Sequence, residues 1–294
     1  MASPIKTSVI LSTYNAPDWL EKTLWGFFQQ TRRDFEILVA DDGSRPDTLA
    51  RLRDIARRSP VPLAHVWQPD EGFQKCRILN KAIAVARGER LLLTDGDCIP
   101  RADFVDLHAR LGRPTNYLSG GYFKLPLRVA EAIGEADVQA QRPFQARWLQ
   151  DQGMPWSPRL WKLAVRPPFD EWLNHLTSAR RTWNGHNASC LRQHALQVNG
   201  FEEQMQYGGE DVEFGFRLVH IGLEGRRMRF STLTLHLHHE RGYVTPGMRE
   251  RNIGFMQRTL RDKRSRAELG LDQWLAADGR VRLGADDQVQ WLVG

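Results

Sequence analysis

Leu91-Leu92-Leu93-Thr94-Asp95-Gly96-Asp97 is an apolar run stopped by two acids with a glycine between them. Such a run reads as a buried strand, Arg90 to Thr94, delivering two carboxylates at its carboxyl end. Alternate residues of an extended chain point the same way, so Asp95 and Asp97 are expected to face one ligand. Their hard oxygens suit Mg²⁺ or Mn²⁺, ions that commonly bridge to phosphates. Alone, an Asp-x-Asp triplet is more often an acidic turn. Its position decides.

Upstream, strand and helix signals alternate. Val9-Ile10-Leu11 stops at Ser12-Thr13-Tyr14-Asn15, and a helix from about Pro17 to Gln30 carries Trp19, Leu20, Leu24, Phe27 and Phe28 at helical spacing. Phe35 to Ala40 reads as a second strand, broken by Asp41-Asp42-Gly43-Ser44, and Asp47 is expected to cap a helix bearing Leu49, Leu52 and Ile55. Leu63 to Trp67 is a third strand, and Gln74 to Ala86 a third helix. Repeated β-α-β units with apolar strands predict an α/β fold, a parallel sheet covered on both faces. Ligands of such sheets sit beyond the carboxyl ends of the strands. Thr13-Tyr14-Asn15, Asp41-Asp42-Gly43 and Asp95-Gly96-Asp97 all fall there, and together they predict a pocket.

Other segments carry candidate chemistry. Of the acidic pair, Asp41 is favoured as a ligand to a base or ribose, while Asp42-Gly43 is also an ordinary turn dipeptide. Glu71 to Arg77 opens the third helix, with Asn80 one turn on; a helix start beside Lys and Arg attracts phosphate, and Arg77 is favoured over Lys75. Gly208-Gly209 lets backbone approach a ligand, placing Glu210 and Asp211 on the first turn of a helix, where acids also serve as simple caps. In Leu235-His236-Leu237-His238-His239, leucine-flanked His236 points toward something enclosed; His238 and His239 fit the surface.

Composition sets outer bounds. The 294 residues carry a formal charge of +6, which suits an anionic ligand, a membrane surface or simply a solvated basic face. Three scattered cysteines, Cys76, Cys98 and Cys190, show neither zinc spacing nor a disulfide framework, so a reducing cytoplasm is the expected setting. The first residues lack a signal-peptide pattern, and no apolar run is long enough to span a bilayer. Residues 143–184 hold Trp148, Trp156, Trp161, Trp172 and Trp183 in irregular sequence, faces on which one or two sugar rings are expected to stack. An ordered block is expected from Trp183 to His239, with a helix at 210–220 and strands near 226–230 and 233–238. Arg249 to Arg266 reads as a basic helix, either solvated or resting on an anionic membrane at the inner face.

In this order the segments resemble glycosyltransferase family 2, the inverting enzymes of the GT-A fold. The resemblance runs from about Lys6 to Glu240 and, in its later half, is closest to the galactosyltransferase-like and chondroitin-polymerase-like branch. It implies a Rossmann-like, mostly parallel sheet in one domain, residues 1–245. Within it, 1–124 would bind a nucleotide-sugar, UDP-linked by preference, and 125–245 a saccharide or lipid-linked acceptor. Residues 246–294 would form a basic helical extension. Carried over residue by residue, the resemblance makes Thr13, Tyr14, Asn15, Asp41, Arg77, Asn80, Asp95 and Gly96 contacts of the nucleotide-sugar. Asp97 and His236 become ligands of a divalent cation, Asp211 the catalytic base and Glu210 an acceptor contact. Glu71 and Cys76 stand where Asn and Ala are usual, and the Gln-x-x-Arg-Trp signature of membrane-embedded synthases is absent. Bacterial surface polysaccharide or lipopolysaccharide synthesis is the expected setting. A nucleotidyltransferase would carry a glycine-rich basic loop after its first strand, where this chain has Thr13-Tyr14-Asn15-Ala16-Pro17. A non-catalytic binding module would have no need of Asp97, Asp211 and His236 together, and no nucleic-acid motif accompanies the charge.

Overall fold

Every residue of Phe35–Asp41 (β2) is buried, as expected for a strand with helices on both faces. In the computed structural model, which describes residues 4–166, 168–176, 182–239 and 247–294, β2 pairs in parallel with Thr7–Thr13 (β1) and Leu63–Trp67 (β3), and β1 pairs in parallel with Arg90–Asp95 (β4). Side chains alternate across this sheet. Val9, Leu11, Ile37 and Val39 pack under the helices Pro17–Phe28 and Pro46–Ala56, and Ile10, Leu38, Ala40 and Leu93 pack under Lys75–Val85 and Glu210–His220. The register sets Thr13 opposite Asp41, and Ser12 opposite Asp95. All three polar clusters therefore reach one edge of the sheet.

The second half makes the sheet mixed. Cys98–Pro100 (β5), Asn116–Lys124 (β6), Ala188–Leu191 (β7) and Glu224–His236 (β8) extend it beyond β4, and β7 is antiparallel to both its neighbours. β8 is one strand, not the two expected. Its pairing jumps from Gly120↔Met228 to Gly121↔Leu233, leaving residues 229–232 as a bulge that splits the apolar pattern. β5 runs antiparallel to the end of β8 and pairs Cys98 with His236. A histidine 139 positions downstream is thereby set beside Asp97.

The residues after 246 are not simply a helical extension. Met248–Arg261 is a helix against Glu210–His220, but Gln288–Val293 (β9) returns to pair antiparallel with β3. Among the described residues nine strands form one sheet, β5-β8-β6-β7-β4-β1-β2-β3-β9. Nor does Asp47 cap its helix, which begins at Pro46 with Arg45 at the cap. The returning C-terminus is held by Lys81 Nζ, 2.7 Å from Asp287 Oδ1, both side chains about 4% exposed. The same ammonium lies 4.2 Å from the centroid of the Trp274 ring. Removing one member of such a pair strands the other's charge in low dielectric. Lys81→Met is expected to cost about 3–5 kcal/mol in urea unfolding, and adding Asp287→Leu should restore most of it. An unchanged unfolding midpoint in the single variant would contradict this account of the C-terminus.

Candidate active site

At the carboxyl edge of the sheet lies a cleft of about 1560 Å³. Thr13, Tyr14, Asn15, Asp95, Gly96, Asp97, Glu210, Asp211 and His236 all line it. Four elements distant in sequence thus meet around one space. Near its centre, Lys75 Nζ is 2.6 Å from Asp95 Oδ1, an oxygen that also accepts the Ser12 hydroxyl at 2.7 Å. Burial alone would lower the pKa of Lys75, but Asp95, Glu210 and Asp211 around it raise it above the ordinary value. Burial likewise pushes Asp95 up, yet Lys75 overrides it and holds the carboxyl well below the usual range. The pair is charged on both sides.

Asp97 serves a different neighbourhood. β4 ends at Asp95, and the chain turns as Gly96 N donates to Ser12 O at 2.8 Å and the Gly96 carbonyl accepts from Thr23 Oγ1 at 2.9 Å. The two acids share the cleft, as expected for residues that face one ligand, but they have different partners within the protein. Donor atoms of Asp97, Cys98 and His236 lie within 4.8 Å of one another, and His239 Nε2 is 3.2 Å from Asp97 Oδ2. His236 Nδ1 sits 2.9 Å from the Leu237 carbonyl, which only accepts; the ring proton is therefore on Nδ1 and the lone pair on Nε2. The Cys98 thiol, raised well above its ordinary pKa by burial and by Asp97, stays protonated and donates to Asp97 Oδ1 at 3.4 Å. Burial also raises Asp97, with His236 opposing. A cleft-lining carboxylate oxygen beside an imidazole nitrogen is a donor pair that fits a divalent ion of the Mn²⁺ type.

Across the cleft, Gly208 and Gly209 adopt φ of +106° and +96°, left-handed values that suit glycine, and the helix starts at Glu210. Glu210 Oε2 accepts from Gly208 N at 2.8 Å and so braces its own turn. Asp211 Oδ2 accepts from Gly185 N at 3.1 Å, and Oδ1 from Val212 N at 2.8 Å. Burial raises the pKa of Asp211, with the Gly185 N–H and Lys75 pulling it down. This is a fixed, cleft-facing carboxylate whose proton affinity exceeds that of an ordinary aspartate.

Three expected contacts lie elsewhere. Asp41 is 1% exposed, accepts from Ser44 N at 2.8 Å and has His65 Nε2 at 2.9 Å, so it is used within the protein. Asn80 is fully buried and clamps Phe201 through both its backbone groups, with Glu203 as a further partner. Arg77 pairs with Glu71 at 2.5 Å outside the cleft lining. In their place stand Asp42 and Lys75, together with His186 and His239. Asp42 accepts from Gln68 Nε2 at 2.6 Å and Gln74 N at 2.9 Å, and burial pushes its pKa up to about 7. The tryptophans of 148–183 do not line the cleft: Trp183 is core packing against Phe214, and Trp161 stacks on Phe230. Tyr14, Trp19, Trp25, Phe73 and Tyr207 supply its aromatic wall instead.

Comparison with known proteins agrees with this geometry. Residues 8–111 match the model for glycosyl transferase family 2, and residues 174–240 that for the N-terminal domain of galactosyltransferase. An uncharacterized glycosyltransferase of Bacillus subtilis, YfnE, is 25% identical over 94% of this chain and 74% of its own. Chondroitin synthase of Pasteurella multocida is 26% identical over 74% of this chain, which spans only 23% of that protein. A mannosyltransferase of Pyrobaculum calidifontis, solved with GDP-Man and Mn²⁺, superposes with a TM-score of 0.53 at 22% identity, covering 82% of this chain and 59% of that one. Its likeness shows the fold, an α/β sheet of the GT-A type. Residues 8–111, which carry the amino-terminal sheet, are similar to glycosyl transferase family 2, and the segment carrying Asp211 and His236 is similar to the galactosyltransferase model, so both halves of the chain resemble glycosyltransferases.

Proposed function

We propose that the chain is a divalent-metal-dependent inverting transferase that moves a sugar from a nucleotide-sugar to an acceptor hydroxyl. The observation that carries this reading is one cleft with two stations: Asp97 and His236 on one side, Asp211 on the other, and the Lys75–Asp95 pair between them. Thr13, Tyr14, Asn15 and Asp42 receive the nucleoside; Gly96 and Asp95 border the diphosphate. Asp97 and His236, with His239 at hand, hold Mn²⁺ or Mg²⁺. A divalent ion there supplies Lewis-acid stabilisation of the departing diphosphate. Asp211 takes the proton of the acceptor hydroxyl as its oxygen attacks the anomeric carbon, the bond to the nucleotide breaking on the opposite face. Glu210 keeps the turn that presents Asp211 in place.

The donor is assigned as UDP-linked by likeness to the family. A saccharide or lipid-linked saccharide of a bacterial surface polysaccharide is the proposed acceptor. Among the described residues no helix is long and apolar enough to cross a membrane. Work at the cytoplasmic face of a membrane would rest on peripheral contact by the helix Met248–Arg261, which carries Arg249, Arg251, Arg258 and Arg261.

Base catalysis is worth ~10²–10⁴-fold, so Asp211→Asn should lose about that much kcat while UDP affinity stays within twofold. Turnover near that of the wild type would remove Asp211 from the role. The base must be ionised, so activity rises with pH through the pKa of Asp211, above the ordinary aspartate value of ~3.9. Because Lys75 lowers that pKa, Lys75→Met should move the acidic limb of the kcat profile to higher pH; an unmoved limb would contradict the coupling. Asp42→Ala should weaken UDP binding by about tenfold in calorimetry, the worth of one hydrogen bond to a buried acid. Asp41→Asn should instead lower thermal stability and leave the folded protein's affinity unchanged. The opposite pattern would return Asp41 to the nucleotide site.

A further inference from the structure

The turn Asn184-Gly185-His186-Asn187 joins the two sides of the cleft. Gly185 N donates to Asp211 Oδ2 at 3.1 Å, and the His186 carbonyl accepts from Thr94 Oγ1 at 2.8 Å, one residue before Asp95. Asn184 donates through its amide to Ser119 Oγ and Gly120 O, both at 2.9 Å, and accepts from Asn187 N at 3.0 Å. Asn187 is itself fully buried, its amide donating to the Gly121 and Thr232 carbonyls. The His186 ring therefore stands on a fixed backbone. It packs edge-on to Tyr122, with centroids 4.7 Å apart, and lies 6.4 Å from the ring of His236.

His186 lines the cleft, yet its Nε2 is shielded from solvent and has no hydrogen-bond partner among the described residues. A buried polar atom left orphaned in an otherwise well-satisfied turn calls for a partner from outside. An imidazole nitrogen without a protein partner can donate to or accept from a hydroxyl, according to its tautomer.

We infer that His186 is a specificity-determining residue that hydrogen-bonds a hydroxyl of the transferred sugar. The inference rests on the glycosyl-transfer reading, which sets the sugar between the diphosphate at Asp97 and His236 and the base at Asp211. His186 spans that interval, with His236 beside its ring and the contact to Asp211 made by its own neighbour Gly185. An enclosed pairing discriminates against sugars lacking the hydroxyl, because the imidazole nitrogen is then left unmatched.

The test is calorimetry in Mn²⁺ with UDP, UDP-glucose, UDP-galactose, UDP-N-acetylglucosamine and GDP-mannose, on wild type, His186→Phe and His186→Gln. Thermal unfolding serves as the check on folding. For the donor that wild type prefers, His186→Phe should lower affinity about 3- to 10-fold while affinity for the free nucleotide diphosphate stays within twofold, and His186→Gln should recover part of the loss. A deoxy analogue of that donor, lacking the contacted hydroxyl, should bind wild type and His186→Phe alike. Equal losses for nucleotide and nucleotide-sugar, or no loss for either, would overturn the assignment while leaving glycosyl transfer standing. A wild type that binds none of these nucleotides would sink the underlying reading, and this inference with it.

Discussion

The 2.6 Å contact between Lys75 and Asp95 is the constraint on which the cleft depends. It ties the first turn of the helix Lys75–Val85 to the end of β4, beneath the acids of the Gly208–Asp211 turn. Asp42, Asp95, Asp97, Glu210 and Asp211 share this space; burial lifts four of them above their ordinary pKa, and only Asp95 is held below it, by Lys75. Lys22, also at the cleft, is lowered by burial and donates to the Ala130 and Glu131 carbonyls. Lys75 is the cation that bears on Asp95, Glu210 and Asp211, with Arg251 also lining the cleft. The formal charge of +6 belongs to the molecule and not to its site. An acid-rich cleft that admits an anionic diphosphate needs a cation as intermediary, and Asp97 with His236 is where the donor atoms gather.

The fold was most legible where one physical rule acted alone. Strands β1 to β4 are buried on both faces, so continuous apolar runs announced them, and the polar residues ending each run were thereby aligned at one edge. Legibility fell where tertiary pairing decided. Asp41 and Asp42 are neighbours on opposite faces of β2's end, and which one meets the cleft depends on His65, a residue of β3 that claims Asp41. Lys75 and Arg77 lie two apart on a helix, hence on nearly opposite sides, so only one could face the cleft. The antiparallel pairings of β7 and β9 are less legible, because these strands join the sheet through long returns that leave no periodic mark.

The histidines show the same limit. His239 fits the surface by sequence, but the strand ends at His236 and His239 reaches Asp97. His186 carried no signal beyond its place in Trp183-Asn184-Gly185-His186-Asn187, because its meaning lies in what surrounds the ring and not in what precedes it. The tryptophans misled for a related reason: abundance marks packing as readily as recognition, and the cleft took its aromatics from the helix Pro17–Phe28 and from loops.

The whole account turns on a cation joining protein to nucleotide through Asp97. Calorimetric titration of UDP into wild type and Asp97→Ala, each with and without Mn²⁺, addresses it directly. The account predicts tighter binding with Mn²⁺ in the wild type and loss of that increment in the variant. An increment of equal size in both proteins, or none in the wild type, would contradict it.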